Sequence, residues 1–339
     1  MTVVTETASH RHSNGKPRII VTRRLLPETE ARMAELFDAV FNASDRPFSR
    51  DELVAAMRDC DAFVPTVTDR IDGEMIAAAS ERLGLIANFG AGTDHLDLAT
   101  ARKRDIIVTN TPGVFTEDTA DMTMAMIIAV PRRLPQGGRL LLQEQWHGWD
   151  PAGLLGHSLR GKRLAIVGMG RIGQAVAHRA RAFGLEIVYH NRHRLPAALE
   201  NMFGARYEAD LDLLIAEADI LTLHCPASPQ NHHILNASRI ATMKRDAYVI
   251  NTGRGDLIDE EALIAALEAG AIGGTGLDVY TNEPQVDSRL LALPNVMLMP
   301  HLGSATIEGR GAAGDKVIAN IRFWADGHRP PDQVLDGWA

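Results

Sequence analysis

Residues 164–173 read LAIVGMGRIG. A short apolar run delivers Gly168, Gly170 and Gly173 at G-x-G-x-x-G spacing, and a helix-forming segment comes directly after it. Each glycine has its own task in such a turn. The first permits the tight reversal, the second lets backbone N–H groups approach a pyrophosphate, and the third lets helix and strand pack closely. The N-terminus of the helix then supplies positive potential to the phosphates. A second strand-like run at 185–190 completes the order strand, turn, helix, strand that a dinucleotide site requires. An ordinary strand-to-helix turn does not need three glycines at this spacing. The stretch therefore predicts a Rossmann-like α/β unit built to hold a dinucleotide.

The same alternation extends in both directions and predicts parallel sheets. Upstream, 18–22, 62–64, 85–89 and 106–109 read as strands, and 27–41 as an amphipathic helix. Thr111-Pro112-Gly113 breaks this pattern, and an apolar-periodic helix begins at Asp118. Pro131 and Pro135 are expected to end or kink it, with Gly137-Gly138 interrupting the segment after them. Downstream of the glycine turn, strands are expected at 220–224, 248–251, 275–279 and 296–299, and a helix over 305–324. The fold class is α/β, with two Rossmann-like, doubly wound parallel-sheet domains. A nucleotide domain that starts mid-chain (112–302) interrupts a substrate domain made of 17–111 and 303–339. The final helix returns to the first domain, and the expected site is a cleft between the lobes.

Composition narrows the function. The 339 residues, 45% of them hydrophobic, suffice for two cores. A formal net charge of −8 argues against nucleic-acid or anionic-membrane partners. The two cysteines, Cys60 and Cys225, form no C-x-x-C pair, so neither a disulfide framework nor a thiolate metal site is indicated, and no metal is expected. The longest strongly apolar stretch, 122–130, is too short to cross a bilayer. Residues 1–16 are polar, lack the apolar centre of a signal peptide and read as a disordered leader; a cytoplasmic location is expected.

Three groups fall at the carboxyl ends of the later strands, where open α/β sheets bind ligands: Arg254 in NTGRG, Glu283 in TNEP and His301 in PHLGSAT. Arginine offers a planar fork to a carboxylate. Histidine can deliver a proton near neutral pH, and a carboxylate beside it favours the imidazolium and orients the ring. Singly, each reads as a capping or surface residue. Together, downstream of a dinucleotide turn, they read as a catalytic set.

From about Arg18 to Trp324 the chain resembles the D-isomer-specific 2-hydroxyacid dehydrogenases, and within them the glyoxylate/hydroxypyruvate reductases. The matching blocks are NFGAGTDHLD (88–97), NTPGVFTEDTADM (110–122), GKRLAIVGMGRIG (161–173), HCP (224–226), INTGRGDLIDEEAL (250–263), GLDVYTNEP (276–284) and PHLGSAT (300–306). The resemblance implies that Arg254 binds the substrate carboxylate, that His301 donates the proton, and that Glu283 pairs with His301. It implies that backbone N–H groups of Gly90, Ala91 and Gly92 also hold the carboxylate. Asp278 is implied at the nicotinamide carboxamide, Thr119 at the cofactor, and Arg171 and Ile172 over the pyrophosphate. Cys225, Pro226, Thr252, Arg254, His301 and Gly303 are implied as further cofactor contacts. A dimerisation arm at about 118–150 is implied, making the protein a homodimer in which Trp146 or Trp149 of EQWHGWD reaches the neighbouring subunit's substrate pocket. Core packing is the other reading of these two tryptophans.

Cofactor choice turns on the end of the second strand, where an acid normally accepts the adenosine ribose 2′-OH. Here 188–194 read VYHNRHR, with no Asp or Glu. Asn191 is neutral, while Arg192 and Arg194 can pair with a 2′-phosphate, so NADP(H) is favoured over NAD(H). The expected reaction is reduction of a small 2-oxo acid, glyoxylate or hydroxypyruvate, to the D-2-hydroxy acid. The alternatives are an NAD-dependent dehydrogenase of D-3-phosphoglycerate or D-lactate type and a dinucleotide-sensing corepressor on the same fold. His232 and His233, adjacent in sequence, would point apart on a strand and suit no simple metal pair.

Overall fold

The computed structural model describes residues 15–335, which fall into two compact units, one of residues 15–115 with 306–335 and one of residues 116–305. Of the expected leader, residues 1–14 lie outside the described residues, as do 336–339. Lys16 is described, and its Nζ donates to the carbonyl of Glu35 at 2.6 Å.

In the first unit the elements run β1 (Arg18–Val21), α1 (Pro27–Leu36), β2 (Asp38–Phe41), α2 (Arg50–Asp59), β3 (Ala62–Val64), α3 (Gly73–Ala77), β4 (Leu85–Ala87), α4 (Leu98–Lys103) and β5 (Ile107–Thr109). The strands form one parallel sheet in the order β2-β1-β3-β4-β5. Both faces are covered, which is why the strand sequences read as unbroken apolar runs rather than alternating ones. Ile20, Phe63, Ile86 and Val108 fill one face with Leu53, Met57 and Met75. Ile19, Val21, Val64 and Leu85 fill the other against Val317 and Ile321 of the long C-terminal helix, Ile307–Ala325. That helix contacts both α1 and β4.

The expected helix over 27–41 is corrected here: α1 stops at Leu36, the backbone turns extended at Phe37, and Asp38–Phe41 pairs in parallel with β1. Helical periodicity in 38–41 gives way because β1 would otherwise leave an unpaired edge. Arg18 fixes the pairing through Asp38 at 3.0 Å.

The second unit contains α5 (Thr116–Ala129), α6 (Leu134–Leu142), β6 (Arg163–Val167), α7 (Arg171–Ala182), β7 (Glu186–His190), α8 (Ala197–Phe203), β8 (Ala205–Tyr207) and α9 (Leu211–Ala216). It continues with β9 (Ile220–Leu223), α10 (Ala237–Ile240), β10 (Tyr248–Asn251), α11 (Glu260–Glu268), β11 (Gly274–Leu277), α12 (Ser288–Ala292) and β12 (Val296–Leu298), and the long C-terminal helix above is α13. Its seven parallel strands lie in the order β12-β11-β10-β9-β6-β7-β8. The order reverses at β6: the chain next builds β7 and β8 on one side, then β9 to β12 on the other. A crevice opens beyond the carboxyl end of such a strand. The sequence pattern alone does not predict β8.

A second correction concerns the arm. Gly137 and Gly138 lie inside α6 rather than breaking it, and Pro135 sits in its first turn, where a missing N–H costs nothing. Leu134, Leu141 and Leu142 of this helix are exposed. Among the described residues no helix is long and apolar enough to cross a membrane.

Candidate active site

The glycine turn joins β6 to α7, and its three glycines meet three different surroundings. Gly168 adopts φ +99°, and a Cβ there would lie 2.5 Å from the Cys225 nitrogen and 2.6 Å from the His224 carbonyl carbon. A Cβ on Gly173 would lie 2.3 Å from the carbonyl oxygen of Gly168. Both are closed by the protein's own backbone. Gly170, the N-cap of α7, has nothing within 4 Å of the corresponding point. The turn is therefore packed from behind and open at its middle glycine, in front of a helix end whose first N–H groups lack intrahelical acceptors. That shape fits the pyrophosphate of a dinucleotide. Arg171 and Ile172 open α7 beside it.

Asn191, directly after β7, does not face outward alone: its Oδ1 accepts from the Met169 N–H at 2.6 Å and so braces the turn. Arg192 is exposed and forms no ion pair among the described residues. Arg194 departs from expectation. Its guanidinium grips Glu200 with two bonds of 2.9 and 2.8 Å and lies over the Tyr207 ring at 5.7 Å. Arg194 first, and the Tyr189 hydroxyl second, hold the Glu200 carboxyl down at about 2. The sequence could not show this, because the acid that neutralises Arg194 comes from the next helix.

The loops after β10, β11 and β12 carry Arg254, Glu283 and His301, and the strands are neighbours in the sheet. The loops pack tightly: a Cβ on Gly255 would lie 2.0 Å from the Tyr280 carbonyl carbon, so only glycine lets the Arg254 turn pass that close. The Tyr280 hydroxyl donates to the Met299 carbonyl at 3.0 Å and ties the β11 loop to the end of β12. Within this frame His301 Nδ1 lies 2.8 Å from Glu283 Oε2, while the Tyr280 N–H donates to Glu283 Oε1 at 3.0 Å. Burial pushes the Glu283 carboxyl up, but His301, the Tyr280 N–H and the charge of Arg254 outweigh it and leave it below the usual range. Arg254 itself is half-buried and donates from Nη1 to the Gly253 carbonyl at 2.8 Å. His301 is held at φ +55°, a backbone state that a non-glycine residue keeps only when its surroundings impose it.

Asp278 imposes it. Only 1% exposed, it accepts from the Leu302 and Gly303 N–H groups at 2.7 Å each, and its own carbonyl accepts from the His301 N–H at 3.0 Å. Burial pushes its carboxyl above the ordinary range against the pull of those two donors. The carboxylate is thus turned to the His301 loop, a contact that sequence reasoning missed. Beside it lie Gly303 and Thr119, and one turn along α5 the Thr123 hydroxyl meets that of Thr252 at 2.7 Å. Cys225 is half-buried, with its thiol pushed up to about 11 by desolvation, and Pro226 comes after it at the surface. Gly90, Ala91 and Gly92 lie beyond the end of β4 in the first unit.

Trp146 and Trp149 are 60% and 84% exposed, which removes the core-packing reading. His232 and His233 also differ from expectation. They lie in a turn, not a strand; with His233 at φ +49° their rings stack, centroids 3.9 Å apart.

Residues 124–303 match the family model for the NAD-binding domain of the D-isomer specific 2-hydroxyacid dehydrogenases. The chain belongs to that family. A glyoxylate reductase of Thermococcus litoralis is 41% identical over 324 residues, covering 94% of this chain and 97% of its own. The crystal structure of a glyoxylate reductase from Paecilomyes thermophila superposes with a TM-score of 0.84 at 32% identity, covering 95% of this chain and 99% of that one. An NADPH-dependent glyoxylate/hydroxypyruvate reductase of Sinorhizobium meliloti, in complex with NADP and malonate, gives a TM-score of 0.84 at 35% identity, covering 94% and 97%. This 2-hydroxyacid dehydrogenase is accordingly an NAD(P)-dependent enzyme.

Proposed function

We propose that this dehydrogenase reduces glyoxylate or hydroxypyruvate to the D-2-hydroxy acid, with NADPH preferred over NADH. The observation that carries the chemistry is the 2.8 Å pair of His301 and Glu283 with the Arg254 charge beside it. A dihydronicotinamide bound in the second unit would supply the hydride that the carbonyl carbon receives. Arg254 is assigned to the substrate carboxylate through its planar fork, and the backbone N–H groups of Gly90, Ala91 and Gly92 are assigned to carboxylate binding. His301 donates its Nε2 proton to the nascent alkoxide while Glu283 accepts from Nδ1 and stabilises the cation. In the reverse direction His301 takes the proton from the hydroxyl; because oxidation releases a proton overall, its equilibrium gains as pH rises. The Asp278 clamp holds the His301 loop in its strained backbone state. Gly168, Gly170, Gly173, Arg171, Ile172, Thr119, Thr252 and Gly303 are assigned to the cofactor.

NADPH preference is supported by three features: no acid directly after β7, Asn191 occupied with the turn, and Arg192 exposed with no carboxylate partner among the described residues. A homodimer is supported by the exposed apolar side chains Leu134, Leu141, Leu142, Trp146, Trp149 and Leu155, which fall close together in sequence. In that dimer Trp146 is assigned to the neighbouring subunit's substrate pocket. Sedimentation of Leu142→Asp, expected to run as a monomer, tests the assembly.

Absorbance at 340 nm tests the reaction, with glyoxylate, hydroxypyruvate and pyruvate each offered with both nicotinamides. The expected result is a higher kcat/KM for one of the first two acids with NADPH. No oxidation with any of the three refutes the reading.

A further inference from the structure

The 90–92 loop is short, glycine-rich and lies outside any strand or helix, yet every one of its carbonyl oxygens is claimed. The Asn88 side chain donates from Nδ2 to the carbonyls of Gly90 at 3.0 Å and Gly92 at 2.8 Å. The Gly90 carbonyl also accepts from the Thr111 N–H at 3.0 Å, and the Ala91 carbonyl from Asn110 Nδ2 at 2.7 Å. No such capture occurs on the donor side: among the described residues the N–H groups of Ala91, Gly92 and Thr93 have no acceptor. A peptide plane whose carbonyl is pinned inward turns its N–H outward, since the two point in opposite directions across a trans bond. Consecutive outward N–H groups form a concavity suited to an anion.

Asn88 can serve this purpose only in one orientation. It is wholly buried (0% exposed), and its Oδ1 lies 3.0 Å from His95 Nε2. That contact directs the NH2 end toward the loop. A Cβ on Gly90 would lie 2.8 Å from Val67 Cγ1 and 3.4 Å from Asn88 Nδ2, so the main chain is seated on the amide itself.

We infer that Asn88, oriented by His95 and assisted by Asn110, is a positioning residue that sets the substrate-carboxylate affinity by pinning the carbonyls of the 90–92 loop inward and so aiming its N–H groups outward. This rests on the proposed assignment of that loop to the 2-oxo acid carboxylate. Asn88 touches no substrate; it acts through the backbone it holds.

Asn88→Asp preserves shape but presents an acceptor to two carbonyls, and Asn110→Ala removes the tether on Ala91. The holoenzyme is titrated with oxamate, a carboxylate-bearing analogue of a 2-oxo acid, and KM is measured for the 2-oxo acid and for the cofactor. For Asn88→Asp the oxamate Kd and the 2-oxo acid KM are expected to rise ~10- to 100-fold, the loss that a misplaced binding group brings, with cofactor KM unchanged. For Asn110→Ala a smaller rise of about 3- to 10-fold is expected, again confined to the acid. A purely structural role would move the cofactor constant as well, or only Tm. Wild-type-like acid constants in both variants overturn the inference, and should Asn88→Asp fail to fold, unchanged constants in Asn110→Ala alone overturn it. A wild-type enzyme that neither binds oxamate nor reduces any 2-oxo acid instead overturns the functional reading, and the inference with it.

Discussion

Gly170 and Gly173 lie three residues apart in one turn, yet alanine at the two positions should affect stability differently. At Gly173 the added methyl would sit 2.3 Å from the Gly168 carbonyl oxygen and 3.2 Å from Ile166 Cγ2. Neither neighbour is a flexible side-chain end, so α7 must move by roughly an ångström, and overpacking of this kind costs ~1–3 kcal/mol. For a domain of this size that lowers Tm by about 2–12 °C. At Gly170 the methyl meets nothing within 4 Å, so Tm should stay within about 1 °C of wild type. Cofactor binding should suffer in both, for different reasons. Gly170→Ala places a methyl where the pyrophosphate must approach and forfeits about one charge-assisted hydrogen bond, worth ~1.5–3 kcal/mol. At 1.4 kcal/mol per decade this weakens the NADPH Kd by roughly 10- to 100-fold. Calorimetry of the apo enzyme and fluorescence titration with NADPH read both quantities. If Gly170→Ala binds NADPH as tightly as wild type, the pyrophosphate does not lie over this glycine and the cofactor placement fails.

The remaining side chains give further expected outcomes. His301→Ala should lower kcat on the order of 10²- to 10⁴-fold without weakening cofactor binding, measured by steady-state turnover at 340 nm. Arg254→Lys should mainly raise the KM of the 2-oxo acid, because lysine lacks the fork. Arg192→Ala should raise the KM for NADPH ~10-fold or more and leave that for NADH nearly unchanged, whereas Arg194→Ala, spent on Glu200, should alter neither ratio. Burial pushes the His224 imidazole from its ordinary value of 6.5 down to about 4, so the folded state binds fewer protons than the unfolded state between those values. Its contribution is complete above pH 6.5 and declines as pH falls toward 4; His224→Asn should flatten the urea-midpoint profile in that window.

Most of the strands and the glycine turn were legible because their signals are local. Unbroken apolar runs mark strands covered on both faces, and glycine spacing marks a backbone approach that no other residue permits. The failures share one cause. The helix expected at 27–41 ends early because a neighbouring strand needed an edge partner, and Arg194 is neutralised by an acid six residues on, across a helix start. His232 and His233 stack in a turn that is tied down by the His233 N–H donating to the Asp256 carbonyl at 2.8 Å. Each outcome depends on a contact with another segment.

The sequence by itself determined the doubly wound α/β class and the strand, glycine turn, helix order at 164–173, and it singled out Arg254, Glu283 and His301 as candidates, since each is a local pattern tied to a backbone or chemical requirement. Only the tertiary structure decided which groups act on one another. Parallel order β10-β11-β12 brings the Glu283 and His301 loops to a 2.8 Å contact, and the fold turns Asp278 to the His301 loop and Asn88 to the 90–92 loop. Hydrogen-bond partnership is a property of positions in space, and folding alone brings residues 18 or 24 apart in sequence within 3 Å.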